Sequence, residues 1–432
     1  MSLRSHNMRR CAALFAVLLW AGPVDADSPT PARPDHPSAR GPEVHVGIAD
    51  GDIRGNDQHA LQAAVDHVAA LGGGTIFIGP GRYQMRNALI LRDHVTIRGE
   101  PGKTVLAACA GAPIKLAADG DCNERQITLE DASGFHVGDG VAIRDNHYGN
   151  GFEVTTATLT AQLDERTFRI SVPLYLDYMV SEKATACLAF PIVGGWNVED
   201  VVVEGLTVEG NNAPAQKLDG CRGGGIYLFD SRKVTIRNCV VRGYNGDGIS
   251  FQTSDDVTVE DCVSEKNTGL GLHPGSGSQR PVLRRNRSHD NGGDGLYVCW
   301  RVKHGLFEDN EIWGNKGFGI SIGHKDTDNL FRHNAITKNG RAGVLFRDES
   351  AAMGAHRNVF EDNRILDNGS GDTKAAIVIR GCHDHLVFRK NTIGSSNGSP
   401  ARVGILSSKQ ATGLQAEENE FVHVEKKVSL DR

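Results

Sequence analysis

Beyond an apolar run from Cys11 to Gly22, the sequence lacks any stretch near the ~20 apolar residues a membrane-spanning helix needs, so no membrane span is expected. It also lacks a dominant charge. Formal net charge is −6, from 47 Lys and Arg against 53 Asp and Glu, which is no electrostatic footprint for nucleic acid or an anionic membrane. A Gly-rich phosphate loop and a zinc-spaced Cys/His set are both missing, which removes the nucleotide-binding and zinc-module classes. The second half has no L-x-x-L-x-L run and no helix-period segment between its apolar stretches, so leucine-rich repeats are excluded as well.

What the N-terminus does have reads as export. Arg9 and Arg10 precede the apolar run, and Val24-Asp25-Ala26 offers small residues for cleavage, giving a signal peptide over 1–26 and a secreted or periplasmic chain. Five prolines between 27 and 42 read as a disordered linker. Eight cysteines remain after Cys11. Cys109 with Cys122 and Cys187 with Cys221 are possible bridges, while Cys239 and Cys262 share a repeat position and fit stacked buried thiols.

Glycine is abundant (52 residues) and falls at turn positions of a repeat that starts near residue 234. One Asn column runs Asn238, Asn286, Asn310, Asn334, Asn363, Asn391 and Asn419, with Asp261 filling a gap, at spacings of 23 to 29 residues. A second runs Asn245, Asn267, Asn291, Asn315, Asn339, Asn368 and Asn397. Between them lie short alternating runs such as Val234-Thr235-Ile236, the pattern of half-buried strands. Asn and Gly tolerate left-handed corners, and stacked Asn side chains can bond along an axis. Phe307, Phe331, Phe360 and Phe388 should stack inside, beside a column Arg284, Glu308, Arg332, Glu361 and Arg389 of alternating sign. The expected fold is an all-β right-handed parallel β-helix over 43–432, with regular coils at about 196–425 and period-breaking inserted strands at about 121–195.

Residues 43–83 supply a cap. Asp57 can N-cap a helix over 58–70 with Leu61, Ala64, Val65 and Val68 on one face and Gly72-Gly73-Gly74 ending it. A strand Thr75–Ile78 and a turn Gly79-Pro80-Gly81-Arg82-Tyr83 follow. From Asp50-Gly51 to Tyr83 this stretch resembles the start of the pectate-lyase-like superfamily.

Stacking the coils turns repeat offsets into neighbours about 4.8 Å apart. Tyr227, Ser250, His273, Tyr297, Ser321 and Leu345 should form one outward column. The following corner gathers Trp300 and Arg301, then His324, Lys325 and Asp326, then Arg347, Asp348 and Glu349, with Arg380 one coil on. Polygalacturonases need paired aspartates and an Arg-x-Lys that do not accompany Gly317–Gly323 here. The Asp-Pro-His-Asp of mannuronan epimerases is also absent, Leu272-His273-Pro274-Gly275 sharing only His and Pro.

Ile320-Ser321-Ile322-Gly323-His324-Lys325, then Leu345-Phe346-Arg347, then Ile379-Arg380-Gly381-Cys382-His383 resemble the chondroitinase B and alginate lyase family of parallel β-helices. The resemblance implies a polysaccharide lyase with Lys325 as base and Arg347 as its partner. His273, Tyr297, Trp300, Arg301, His324, Asp326, Asp348, Glu349 and Arg380 are then the expected substrate-binding residues. That family binds calcium through acidic residues on the strand that here reads Phe318-Gly319-Ile320-Ser321-Ile322, so no metal ligand set is identified; no cofactor is expected, calcium being the one alternative left open. β-Elimination on a uronate needs the sugar carboxylate offset, a task for Arg301, Arg347 and a protonated His324, which would also make Lys325 a usable base. Asp326 with Asp348 or Glu349 as a carboxylate pair would instead give a glycoside hydrolase, and a non-catalytic carbohydrate-binding β-helix is the third possibility.

Overall fold

The computed structural model describes residues 41–147, 151–211, 217–369, 375–396 and 401–430, all inside the compact unit Ala39–Arg432. The export signal expected at 1–26 and nearly all of the linker expected at 27–42 lie outside the described residues. Pro42 already belongs to the fold, its carbonyl accepting from Thr75 N at 2.9 Å.

Short strands recur three to a coil, and each bonds the strand one coil away. The first sheet ends at Gln415–Glu417, the second runs from Gly81–Met85 to Glu420–Val422, and the third from Leu89–Ile90 to Val424–Leu430. Parallel neighbours joined by long crossovers make the chain a right-handed parallel β-helix. Asp57 caps the helix Gln58–Ala70 by accepting from His59 N and Ala60 N, and Leu61, Ala64, Val65 and Val68 are buried. Gly72 and Gly73 end it with positive φ, as expected of a glycine stop. The stretch read as a turn differs: Gly81–Tyr83 already pairs with Thr104–Leu106 in the second sheet.

The coils are interrupted by six short antiparallel strands between Ile114–Lys115 and Thr185–Leu188. Val193–Trp196, expected within the insertion, lies back in the third sheet between Leu89–Ile90 and Ile226–Phe229.

The Asn ladders hold the corners, with a shifted register at the upper end. Each Asn from Asn286 to Asn391 donates its backbone N–H to the Oδ1 of the next Asn, as in Asn310 to Asn334 at 3.0 Å and Asn334 to Asn363 at 2.9 Å. Cys262 N donates to Asn286 Oδ1, so Cys262 and Cys239, not Asp261 and Asn238, continue this column. Asn238 and Asp261 instead take the left-handed corner beside it, with φ of 53° and 55°. In the second ladder Tyr244 N, not Asn245, bonds Asn267 Oδ1, and Asn397 lies outside the described residues. The phenylalanines stack as expected, Phe307 on Phe331 at 4.6 Å and Phe331 on Phe360 at 4.4 Å. The charge column is longer than the sequence suggested: Arg98, Glu204, Arg237, Glu260, Arg284, Glu308, Arg332, Glu361, Arg389 and Glu417 pair in register, alternating throughout. Cys109, Cys122 and Cys221 are free thiols, so neither suggested bridge is formed, and Cys239 and Cys262 are buried thiols.

Candidate functional site

Alternation in the third sheet sends Leu272, Leu296, Val298, Ile320 and Ile322 inward and leaves His273, Tyr297 and Ser321 on the outer face. Tyr227, Ser250 and His273 share that face in register. Its upper end is covered, since Gly220 O accepts from Ser250 Oγ at 2.6 Å and Tyr227 OH donates to Cys221 O at 2.9 Å. Its lower end is apolar, with Leu345 and Val378 packed among Phe318, Ala342 and Ala375. The polar stretch lies between, from His273 to Arg347.

His273 and Asp247 form a buried pair, Nδ1 to Oδ2 2.8 Å, each side chain 4% exposed. Asp247 is itself fixed by Leu270 N at 2.8 Å. Facing a carboxylate, Nδ1 carries the proton, which leaves Nε2 as the basic nitrogen, and Nε2 is buried with no partner. A Cβ at Gly220 would overlap both Asp247 Oδ2 and His273 Nδ1, so only glycine lets the covering segment approach this closely. The His273 ring meets Tyr297 edge-on at 5.2 Å, and the Arg347 guanidinium lies 4.4 Å above the same tyrosine. Burial raises the Tyr297 hydroxyl well above its usual range, with Arg347 opposing.

Arg347 is held by three acceptors. It donates to Ser321 Oγ at 3.0 Å, Val298 O at 2.7 Å and Asp326 Oδ2 at 3.3 Å. Asp326, expected among the substrate-binding residues, is wholly buried and accepts from Val302 N and Gly323 N. It therefore serves as Arg347's inner counterion. Burial pushes its pKa up to about 7 against the pull of Arg347. Buried His383 braces the same residue, receiving Ala355 N at Nδ1 and standing 2.8 Å from Arg347 O through Nε2.

The other expected residues form a rim. Lys325 is exposed at a left-handed corner with φ 66°, its backbone N–H donating to Met353 O. Arg301 is exposed and stands 5.6 Å from the ring of Trp300, itself 44% exposed, and Asp348 and Arg380 are also exposed. His324 lies between Cys299 and Glu349, 3.3 Å from Sγ and 3.0 Å from Oε1. Its pKa is lowered, first by burial and then by Arg347, so the expectation of a protonated His324 fails. Burial raises the Glu349 carboxyl, His324 N and Arg347 opposing.

Three groups escaped the sequence reading: Asp247, Asp294 and Cys299. Asp294 accepts from Phe318 N at 2.7 Å, and burial pushes it up to about 6. Both aspartates sit in a repeated Asp-Gly just before an outward strand, in Asn245-Gly246-Asp247-Gly248 and Gly293-Asp294-Gly295, which was a legible signal. Among the described residues no group of three or more His, Cys, Asp or Glu is placed to hold a metal ion, and no helix is long and apolar enough to cross a membrane.

A family model described as "Right handed beta helix region" matches residues 192–353. The mannuronan C5-epimerase AlgE6 of Azotobacter vinelandii is 38% identical over 74 residues, 15% of this chain and 8% of that protein. The chain thus spans a small part of that relative's length. Among solved structures, the A-module of the mannuronan C-5 epimerase AlgE4 from the same organism superposes with a TM-score of 0.55 at 17% identity, over 89% of this chain and 98% of that one. A structure named as a glycoside hydrolase gives 0.54 at 11% identity, over 88% and 96%. These structural likenesses carry the fold.

Proposed function

We propose that this chain is a secreted carbohydrate-active enzyme that removes the C5 proton of a uronate residue in an acidic polysaccharide, with β-elimination as the outcome. The observation that carries the reading is Arg347, fixed by three acceptors and laid over Tyr297 beside the His273–Asp247 pair. The C5 proton becomes removable only when the neighbouring carboxylate charge is offset, and a preorganised guanidinium does that without reorganising during the reaction. Arg301 on the rim extends the positive charge. Lys325 is the base that the lyase resemblance implies, and the free Nε2 of His273 is the alternative base within the face itself. Loss of the O4 substituent from the resulting carbanion gives the lyase product. Return of a proton to the opposite side of C5 would instead give epimerisation, the activity named for the AlgE6 relative.

Glycoside hydrolysis is the second reading. It is favoured by Asp294, whose raised pKa suits a general acid. Screening alginate, pectin, glycosaminoglycans and neutral glycans separates the readings. A lyase makes an unsaturated product absorbing in the near ultraviolet, a hydrolase makes reducing ends alone, and a binding module makes neither. Lys325→Ala should abolish the ultraviolet signal if Lys325 is the base. Full activity in that variant removes Lys325 from the mechanism and moves the base to His273.

A further inference from the structure

The alternation that turns Tyr227 outward also turns Phe229 outward, and Trp196 stands in register with it on the preceding coil. Both aromatics are 41% exposed. A Cβ on Gly194 would stand 2.4 Å from Trp196 Cζ3, so the indole folds back flat over the glycine and leaves its other face to solvent. Tyr227 lies beside it, centroid to centroid 6.0 Å. At the end of each strand comes a left-handed corner: Asn197, Asp230, Thr253, Ser276 and Trp300, with φ from 41° to 66°. These corners make one row along the solenoid. Trp196 and Phe229 stand at one end, Trp300 at the other, and the small side chains of Asp230, Thr253 and Ser276 lie between, exposed or half-buried. The register Trp196, Phe229, Gln252, Gly275, Cys299 separates the ends by four coil steps, about 19 Å. Beside the two aromatics the corners enclose a hollow of about 420 Å³, lined in part by Asp93, Asn197, Glu199, Asp230, Thr253 and Asp255. Glu199 is held by Arg232 and Lys233, and Asp255 by Arg280. Among the described residues the Asn197 amide and the Asp230 carboxylate have no partner.

We propose that this row is a track for the glycan beyond the reacting sugar, and that the hollow binds a neutral hexose or N-acetylhexosamine. The substrate is then a copolymer in which uronates are interspersed with neutral sugars. This deepens the C5 reading and rests on it for the reacting uronate. Exposed aromatics scattered singly need no explanation, but two in register beside an open hollow make a platform. The flat indole takes the C–H face of a sugar ring, while the Asn197 amide and Asp230 carboxylate bond its hydroxyls. Charge then selects the sugar. The hollow carries Asp93, Glu199, Asp230 and Asp255 against Arg232, whereas the far end of the row meets Arg301, Lys325 and Arg347. A uronate is repelled at the first and attracted at the second, so a homopolymer of uronate fits only one end of the track.

The probes are hexasaccharides of glucose, galactose, mannose and N-acetylglucosamine, with hexamannuronate for comparison, each titrated calorimetrically into the full chain. The neutral probes hold no uronate, so their binding is independent of C5 chemistry. At least one should bind, and Trp196→Ala should weaken it by about tenfold or more. Phe229→Ala is the second variant if Trp196→Ala fails to fold, and it should weaken the same ligand. Asp230→Asn suits a left-handed corner and keeps the hydrogen bonds while removing the charge. It should tighten hexamannuronate by roughly threefold or more and leave the neutral ligand within about twofold. Trp196-dependent binding of a neutral probe, in a chain that leaves every polyuronate unchanged, would keep this site and remove the C5 reading. No binding by any neutral hexasaccharide, undiminished binding in the aromatic variants, or hexamannuronate weakened by Trp196→Ala as much as the neutral ligand overturns the proposal.

Discussion

Arg347 reaches acceptors on two earlier coils and a buried carboxylate, while its backbone is braced by His383 from the coil beyond. The position is therefore defined by the solenoid as a whole, and its neighbours set testable limits. Asp247→Asn keeps the shape of the buried pair but removes the charge that fixes the His273 tautomer. With His273 as the base, turnover should fall by roughly 100-fold or more with KM little changed, read by steady-state kinetics on the active polyuronate, whereas Lys325 as the base predicts a far smaller loss. Asp326 gives a pH signature. Its pKa in the fold, about 7, lies above the value near 4 expected of an unfolded chain, so the fold binds more protons across that window. Its stabilising effect is complete below about pH 4 and is lost as pH rises through about 7. Urea unfolding of the wild type and Asp326→Asn should show the wild type losing ground as pH rises from about 5 to about 8. A difference that does not change with pH contradicts the assignment. Of these residues, His273, Tyr297 and Arg347 were legible because they fall on repeat positions. The partnership of His273 with Asp247 was not, since it joins residues 26 positions apart beneath the covering backbone at Gly220.

At the scale of the element, the Asn ladders do the work of loop ends that would otherwise bury unpaired backbone. Asn334 accepts from both nitrogens of Asn310 and donates to Phe307 O and Asn363 Oδ1, four bonds at 2.9 to 3.0 Å. Asn334→Ala strands several buried donors and acceptors, each worth about 1–3 kcal/mol when left unpaired. A loss of roughly 3 kcal/mol or more in chemical denaturation is expected, and a change under about 1 kcal/mol contradicts the ladder's role. The ladder was readable from the regular spacings below Asn286. Above it the column slipped by one residue, and the irregular 25-residue step from Asp261 to Asn286 marks the slip. Cysteine occupies the ladder positions there, and a search for repeated Asn cannot find a buried thiol that fills the same corner. The helical cap, by contrast, was written locally in Asp57, four apolar residues and a glycine stop, so its boundaries matched.

Across the whole molecule, one charge column alternates through ten registered positions and three sheets keep a common register past the interruption between Ile114 and Leu188. That shared register places His273, Tyr297, Ser321 and Arg347 on one outer face, between a covered upper end and an apolar lower end. The repeat revealed the coil, but the insertion's antiparallel strands carry no repeat and could be located only as a break in it. The central claim is that this face removes a uronate C5 proton. Its most direct test is incubation of polyuronates with the chain in deuterium oxide, followed by NMR of the recovered sugar and ultraviolet absorbance of the products. The account predicts deuterium at C5 or an unsaturated non-reducing end, with both signals lost in Arg347→Ala. New reducing ends with neither signal, on a polyuronate that the chain visibly cleaves, would contradict it.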